Sequence, residues 1–167
     1  KNLKEKNSSI KALAYQLYEN NGVLKREQVS SYLKTLGQNE RKILRELGVK
    51  FGRYHVFLYQ LIKPEAVSLR TLLWKNFHQK YYNLKPPTFG LNFLDDKDSK
   101  NKNFMLLCGF EKFDSLFVRI DILERLFMQI INTDTKDNKE IKMIPEMLNL
   151  LGCSKDNFKK LLQKMGY

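Results

Sequence analysis

Residues 47–74, LGVKFGRYHVFLYQLIKPEAVSLRTLLW, form the densest apolar and aromatic stretch of the chain. Its residues 51–54 are typical of a tight turn, because Gly52 can adopt a positive φ without steric cost. Residues 54–62 fit either a strand buried on both faces or a buried helix, since periodicity alone does not separate the two. Pro64 then predicts the first turn of a further helix. The stretch therefore predicts a glycine-centred hairpin followed by a helix.

The residues before this stretch predict three short helices. Apolar residues recur at helical spacing from Ile10 to Tyr18, and a second helix is predicted from Arg26 to Leu36. A third runs from Asn39 to a stop at Gly48. Three helices followed by a hairpin is the order of a winged-helix module, in which the third helix and the wing face nucleic acid. A plain helical bundle with a solvated basic face is the alternative.

The helix predicted from Pro64 to about His78 carries an apolar stripe. Its members, bordered by Trp74, are Ala66, Leu69, Leu72, Leu73 and Phe77. A stripe at this spacing indicates a face packed on the core, and only secondly a groove for a partner.

The second half of the chain begins with residues that end a helix. The prolines after Leu84 cannot continue one, so residues 85–103 are predicted to be a long surface connection. Residues 104–110 and 116–120 predict two strands, and a helix follows from Asp121 to about Asn132. Residues 145–167 have the helix, glycine-containing turn and helix of a helix-turn-helix; an αα-hairpin that closes the core is the alternative.

These patterns predict an α+β fold, mainly α, made of short helices with one or two small β-hairpins in winged-helix-like and helix-turn-helix-like halves. Residues 1–84 would form an N-terminal helical half with the Gly52 hairpin and the Pro64 helix. Residues 85–103 would be a surface linker, and residues 104–167 a C-terminal half. The endings LRELGV and LQKMGY are similar, which suggests that the two halves repeat one unit.

Three separated motifs carry a resemblance to a known family. GVKFGRYHVFL and the following LIKPEAVSLRTLLW resemble the C-terminal region of bacterial helicases related to the mitochondrial degradosome RNA helicase. The resemblance continues in VRIDILERL, residues 118–126, and in PEMLNLLGCSKDNFKKLLQKMGY, residues 145–167. It implies a parent that unwinds RNA with two upstream RecA-like domains, using ATP and magnesium. Residues 85–103 depart from the family, because they are rich in Lys, Asp and Asn where a proline-rich linker is expected.

The charge balance points to a polyanionic partner. The 167 residues carry a net charge of +12, and so basic a domain usually contacts nucleic acid. A lysine-rich proteome with the charge spread evenly is the alternative. No apolar run approaches the roughly 18 residues of a membrane span, so we expect a cytoplasmic protein without a membrane partner. The start, KNLKEKNSSI, reads as a point inside a longer protein.

The candidate nucleic-acid contacts lie in three places: on the third helix, around Gly52, and on the last helix. Cations there would neutralise phosphates, and aromatic rings such as those of Tyr54 or Tyr59 could stack on unpaired bases. The candidates are Arg41, Arg45, Lys50, Arg53, Tyr54, His55, Lys155, Lys159, Lys160 and Lys164.

Signatures of catalysis and of cofactor binding are missing from the sequence. There is no GxxxxGK[ST] phosphate loop and no HExxH, and His55 and His78 have no partners at metal-ligand spacing. We therefore expect no catalytic residue, no metal and no cofactor in this chain, with ATP and magnesium restricted to the parent. Cys108 and Cys153 lie in apolar settings and are expected to be reduced thiols.

Two hypotheses follow. The first is an accessory module, not an enzyme by itself, that binds RNA or another nucleic acid for an ATP-dependent RNA helicase. The second is a protein-interaction or scaffolding domain that docks the helicase onto a nuclease or ribosome-associated partner, or braces the helicase core of the same chain. Its working surface would be the apolar stripe around residues 72–77, or a patch at Trp74.

Overall fold

The computed structural model describes residues 8–96, 101–133, 141 and 143–167. The chain forms two compact units, Lys1–Ala66 and Val67–Tyr167. The division falls three residues inside the Pro64 helix, earlier than the boundary that the composition of residues 85–103 suggests.

The first unit packs helices on a small antiparallel sheet. Its elements are α1 (Ser8–Glu19), β1 (Val23–Lys25), a 3-10 helix (Arg26–Val29), α2 (Ser30–Thr35), α3 (Gln38–Glu46), β2 (Val49–Phe51), β3 (His55–Leu58) and a second 3-10 helix (Tyr59–Ile62). The strand order is β1-β3-β2, so β3 is central. Its core is formed by Ile10, Leu13, Leu17, Leu24, Val29, Leu33, Leu36, Leu44, Val49 and Val56.

The second unit has a sheet of the same order. Its elements are α4 (Pro64–Phe77), a 3-10 helix (Gln79–Tyr81), β4 (Phe93–Asp95), α5 (Lys102–Leu107), β5 (Phe110–Phe113), β6 (Leu116–Arg119), α6 (Ile120–Thr133), α7 (Pro145–Leu151) and α8 (Lys155–Met165). The strands are arranged β4-β6-β5. The α+β, mainly α class is thereby confirmed.

Three expectations about the second half were wrong. Residues 104–107 form α5 and not a strand, because the Asn101 side chain accepts a hydrogen bond from the Phe104 N–H at 3.1 Å and caps a helix there. The segment 85–103 contains β4, whose buried Phe93 pairs with Val118. The α4 stripe faces solvent, and the buried positions of this helix are Val67 and Thr71.

Three differences concern the first unit. β1 was not anticipated from the sequence, and the helix expected from residue 26 begins as a 3-10 turn. Tyr18, expected on the inner face of α1, is 79% exposed. In the described part of the chain, no helix combines the length and the hydropathy that crossing a membrane requires.

Candidate functional site

The third helix of the first unit holds Arg41 against the end of the second. The Arg41 guanidinium donates to the carbonyl oxygens of Leu33 at 2.6 Å and Leu36 at 3.2 Å. These carbonyls close α2, whose last C=O groups have no partner within the helix. Arg41 is half-buried, so it stabilises the joint between α2 and α3 as well as adding positive charge.

Phe51 at the end of β2 orients two guanidinium groups. The Arg41 Cζ lies 5.9 Å from the centre of the Phe51 ring, and the Arg45 Cζ lies 5.7 Å from it. Such cation–π contacts restrict a long side chain without neutralising it. Arg45 is exposed, so its planar fork of donors is available for two oxygens of one phosphate.

The β2–β3 hairpin adds two more exposed cations. Lys50 lies on β2, and Arg53 lies in the turn. The turn is braced from the first 3-10 helix, because the Arg26 guanidinium donates to the Gly52 carbonyl at 2.7 Å. Arg45, supported by the Phe51 ring, forms with Lys50 and Arg53 what we call the basic hairpin surface.

The aromatic candidates of this hairpin are less accessible than its cations. Tyr54 is half-buried in the turn, and only 2% of the His55 surface is exposed. His55 starts β3 opposite Lys25, with its side chain in the interior of the unit. The structure therefore removes His55 from the accessible candidates, and the β2–β3 hairpin presents mainly positive charge.

The equivalent hairpin of the second unit ends in acidic residues. Its turn contains Asp114 and Ser115, and the Ser115 hydroxyl donates to the Asp95 carboxylate at 3.0 Å. Asp96 follows Asp95 at the exit of β4. Carboxylates at this tip repel phosphate, so its charge does not favour a polyanion.

The four lysines predicted on the last helix are all exposed. The Ser154 hydroxyl caps this helix by accepting from the Asn157 N–H at 3.3 Å. Lys164 Nζ lies 3.2 Å from an Asp114 carboxylate oxygen. This pair partly neutralises the end of α8. Lys155, Lys159 and Lys160 remain as a row of exposed cations on that helix.

The net charge is concentrated in the first unit. Residues 1–66 carry 13 Lys and Arg against 6 Asp and Glu, a net charge of +7. Residues 67–167 carry 17 against 12, a net charge of +5 spread over a longer segment. The basic hairpin surface therefore lies in the more positive unit.

Helix α4 presents an exposed apolar face. The exposed fractions are 58% for Leu69, 56% for Leu72, 50% for Leu73 and 87% for Phe77. The predicted stripe is real, but it lies on the outer side of the helix. On the inner side, the Thr71 hydroxyl donates to the Val67 carbonyl at 2.8 Å, so a polar side chain is buried without a lost hydrogen bond.

The thiols and the titratable groups give no sign of a reactive site. Burial raises the pKa of the Cys153 thiol to about 11, so it stays protonated at neutral pH. Burial lowers the pKa of Arg70, yet a guanidinium remains charged in a protein. Among the residues that the structure describes, no group of three His, Cys, Asp or Glu side chains could hold a metal ion.

Sequence reasoning missed two parts of this surface. Phe51 was treated as a turn residue, although it supports both arginines. Arg26 was treated as a helix start, although its guanidinium donates to the Gly52 carbonyl and supports the β2–β3 turn. The role of Phe51 has a signal in the sequence. Arg41 and Arg45 are four residues apart on a predicted helix, and the aromatic Phe51 lies in the extended segment that follows it.

Comparison of this chain with protein-family models, with curated proteins and with solved structures gave no match. The resemblance to helicase C-terminal regions therefore stays a prediction from the three motifs.

Proposed function

We propose that this chain is an accessory nucleic-acid-binding module that binds the phosphate backbone through the basic hairpin surface of its first unit. The observation that carries the proposal is the pairing of Arg41 and Arg45 on the Phe51 ring, next to exposed Lys50 and Arg53. Guanidinium groups that are already oriented lose less side-chain entropy when a phosphate binds.

The order of elements supports the same proposal. A helix, a strand, two helices and two strands, with the sheet order β1-β3-β2, is what we expect of a winged-helix module. In that interpretation α3 contacts a groove and the β2–β3 turn contacts the neighbouring backbone. The cations of the basic hairpin surface lie on α3, on β2 and in the β2–β3 turn.

Binding would be mainly electrostatic. Each cation that neutralises a phosphate releases condensed counterions, so affinity falls as the salt concentration rises. The exposed row on α8 offers a second contact to the same polyanion. RNA is the expected ligand, because the motif resemblance implies an RNA helicase as the parent; ATP and magnesium would be bound by the upstream motor domains.

The test replaces the basic hairpin surface with its counterpart from the second unit. Arg45→Leu, Lys50→Glu and Arg53→Asp introduce the residues found 61 positions later in the chain, at 106, 111 and 114, on α5 and in the β5–β6 hairpin. Fluorescence anisotropy with labelled RNA at 50 mM salt should show at least about a 100-fold loss of affinity. The slope of log K against log salt should fall by about three.

A matched control separates this surface from bulk charge. Lys11→Glu, Lys34→Glu and Lys63→Gln change the net charge equally, by five units, at exposed cations of the same unit. We expect less than about a five-fold loss for this control, since screening weakens distant charges. Equal losses in the two triple variants would overturn the proposed surface.

The lysines of α8 have their own variant. Lys155→Glu, Lys159→Glu and Lys160→Glu should weaken binding by more than Lys1→Glu, Lys4→Glu and Lys6→Glu, if α8 shares the ligand. An unchanged affinity would restrict the contact to the first unit.

A second candidate function, protein docking, is favoured by the exposure of the α4 face. The partner would be the helicase core of the parent or a nuclease or ribosome-associated protein. Leu69→Gln with Leu72→Gln and Leu73→Gln should then reduce association with purified motor domains in sedimentation experiments while RNA affinity is kept. Unchanged association would count against docking through this face.

A further inference from the structure

The segment from the middle of α4 to β4 has an unusual composition. Residues 66–94 contain no Asp or Glu, and their cations are Arg70, Lys75, Lys80 and Lys85. Within residues 74–85, WKNFHQKYYNLK, five ring-bearing residues alternate with three lysines. Aromatic rings interleaved with cations and free of acids are what a surface for unpaired nucleic acid requires.

Three of the five rings in this segment are already stacked. The centres of the Trp74 and His78 rings lie 4.3 Å apart with their planes inclined by 15°, and those of Trp74 and Tyr81 lie 5.4 Å apart with 19° between the planes. Trp74 rests on the fully buried Phe104 at 5.5 Å. These contacts connect His78 and Tyr81, through Trp74, to the core of the second unit.

The backbone fixes this arrangement. Helix α4 ends at Phe77, and His78 leaves the helical region with φ −118° and ψ 64°. Its amide still donates to the Trp74 carbonyl at 3.0 Å, and a 3-10 turn over Gln79–Tyr81 follows. The break in the helix brings Tyr81 back onto the Trp74 ring, where a continuing helix would carry it away.

The outermost rings face solvent. Phe77 is 87% exposed, Tyr82 is 65% exposed, and His78 is exposed beside them. The Lys80 ammonium lies 4.7 Å from the centre of the Tyr81 ring. A phenylalanine this exposed has its ring available to a flat partner, and Lys80 adds a positive charge three residues further along the chain.

We propose that residues 74–85 form a stacking site for unpaired nucleobases, with Phe77, His78 and Tyr82 as the stacking rings and Lys80 as the phosphate contact. The inference rests on the proposed function, since it takes nucleic acid to be the ligand of this chain. It adds a ligand preference: a base in a duplex has no free face, so this site selects single strands.

The experiment uses the one tryptophan of the chain as its reporter. A 12-nucleotide oligouridylate is titrated into the protein while Trp74 emission and the anisotropy of a labelled strand are recorded. We expect a change in Trp74 emission that saturates together with the anisotropy. An unchanged emission while the strand binds would overturn the stacking site.

The variants separate this site from the basic hairpin surface. Phe77→Ala with Tyr82→Ala should weaken single-strand binding by at least about ten-fold, and leave the affinity for a duplex of equal length within about two-fold because phosphate contacts dominate there. Lys80→Gln should lower the single-strand salt slope by about 0.7. A control, Tyr15→Ala with Tyr18→Ala on α1, removes two exposed rings elsewhere, 60% and 79% exposed, and should have no effect.

Three outcomes would count against the proposal in different ways. Equal losses for the ring variant and its control overturn the stacking site. If Arg45→Leu, Lys50→Glu and Arg53→Asp abolish binding while the ring variant binds normally, the stacking site fails and the proposed function stands. If a self-association seen in sedimentation disappears with Phe77→Ala while strand affinity stays constant, the exposed rings belong to a protein interface and the stacking site is wrong.

Discussion

The two units build the same sheet with different charges at its tip. In each, the middle strand pairs with the other two in one register: Val23 with Phe57 and Val49 with Leu58 in the first unit, Phe93 with Val118 and Phe110 with Arg119 in the second. The numbering offset is 70 for the first strand of each sheet and 61 for the other two. The second unit therefore repeats a piece of the first, with a shorter connection after its first strand.

The backbone hydrogen bonds that frame the two sheets correspond one to one. Under the same offsets, four N–H to carbonyl bonds of the first unit match four of the second. In the first unit, donor before acceptor, they are Leu58 to Gly22, Tyr59 to Gly48, Arg26 to Tyr54 and Gly48 to Arg45. Their counterparts in the second unit are, in the same order, Arg119 to Asn92, Ile120 to Gly109, Asp96 to Ser115 and Gly109 to Leu106. Helices α3 and α5 end at equivalent residues, 46 and 107. The repeat thus includes the helix that precedes each hairpin.

Charge is where the two copies differ. Positions 25, 26, 45, 50 and 53 are Lys, Arg, Arg, Lys and Arg, and their equivalents 95, 96, 106, 111 and 114 are Asp, Asp, Leu, Glu and Asp. Of the cations compared, only Arg41 has a basic counterpart, Lys102. Apolar pairing and backbone hydrogen bonds suffice to specify the sheet, so the tip is free to carry either sign. The comparison teaches that the sheet itself does not require a basic tip.

The largest expected effect comes from the centre of the second sheet. Phe117 is fully buried on β6, at the position that Val56 occupies on β3. Phe117→Ala should lower the free energy of unfolding of the second unit by about 3–5 kcal/mol, because it removes a large ring and leaves a cavity. Urea unfolding followed by Trp74 emission, which reports on the second unit, measures this loss.

The same variant tests whether the units unfold separately. Far-ultraviolet circular dichroism, which follows both units, should then show a second transition at higher urea. One shared transition would mean that the repeated sheets are thermodynamically coupled.

A smaller loss is expected at the entry to the first sheet. Gly22 has φ +77°, and an added Cβ would collide with the Leu61 side chain. Gly22→Ala should cost about 1–3 kcal/mol, since the strain of a positive φ adds to the clash. The equivalent Asn92 donates to the Leu150 carbonyl at 2.9 Å, and Asn92→Ala should cost about 1 kcal/mol. Thermal unfolding compares the two, and a costlier Asn92→Ala would contradict the ranking.

Introducing the cations of the first sheet into the second sheet should increase RNA affinity modestly. Asp95→Lys with Asp96→Arg gives the second sheet the residues that the first has at positions 25 and 26. RNA affinity at 50 mM salt should rise by about ten-fold, equal to about 1.4 kcal/mol, because repulsion is replaced by attraction. Anisotropy measures it, and Glu19→Lys with Glu146→Lys, at two exposed acids outside the proposed contacts, is a control of equal charge change. An equal rise in the control would mean that total charge alone matters.

The smallest effect concerns the half-buried thiol near the last helix. The pKa of Cys153 is raised from 9.0 to about 11 by burial. A raised thiol pKa means that the neutral form stabilises the folded state, so this contribution is complete below pH 9 and is lost as the pH rises toward 11. The alkylation rate with iodoacetamide should stay low at pH 8 and increase between pH 9 and 11. Fast alkylation at pH 8 would contradict a protonated thiol.

The sequence predicted the elements whose signals are local. Gly48, with φ +89°, marked the end of α3, and the helices expected after Asp121 and at the end of the chain are α6 and α8. Gly52 marked the position of the first hairpin, but it is not among the glycines with a positive φ. These signals depend on nearest neighbours along the chain, so one sequence is enough to find them.

The features that failed depend on partners distant in the chain. β1 and β4 have only three residues each and exist because β3 and β6 pair with them. The apolar stripe of α4 has the spacing of a buried face, and only the packing of Val67 and Trp74 on Phe104 decides that the opposite side is buried. The burial of His55 likewise follows from its place at the start of a central strand.

Arg41 affects how any mutational scan of this protein should be interpreted. Its guanidinium closes the end of α2 through two carbonyls while its charge lies beside Arg45. Replacing it therefore loosens a helix junction and removes a cation in the same step. A scan that measures only RNA binding would assign both effects to a lost phosphate contact. Arg41→Lys, compared with the original protein at an equal fraction of folded molecules, would separate the loosened helix junction from the lost contact.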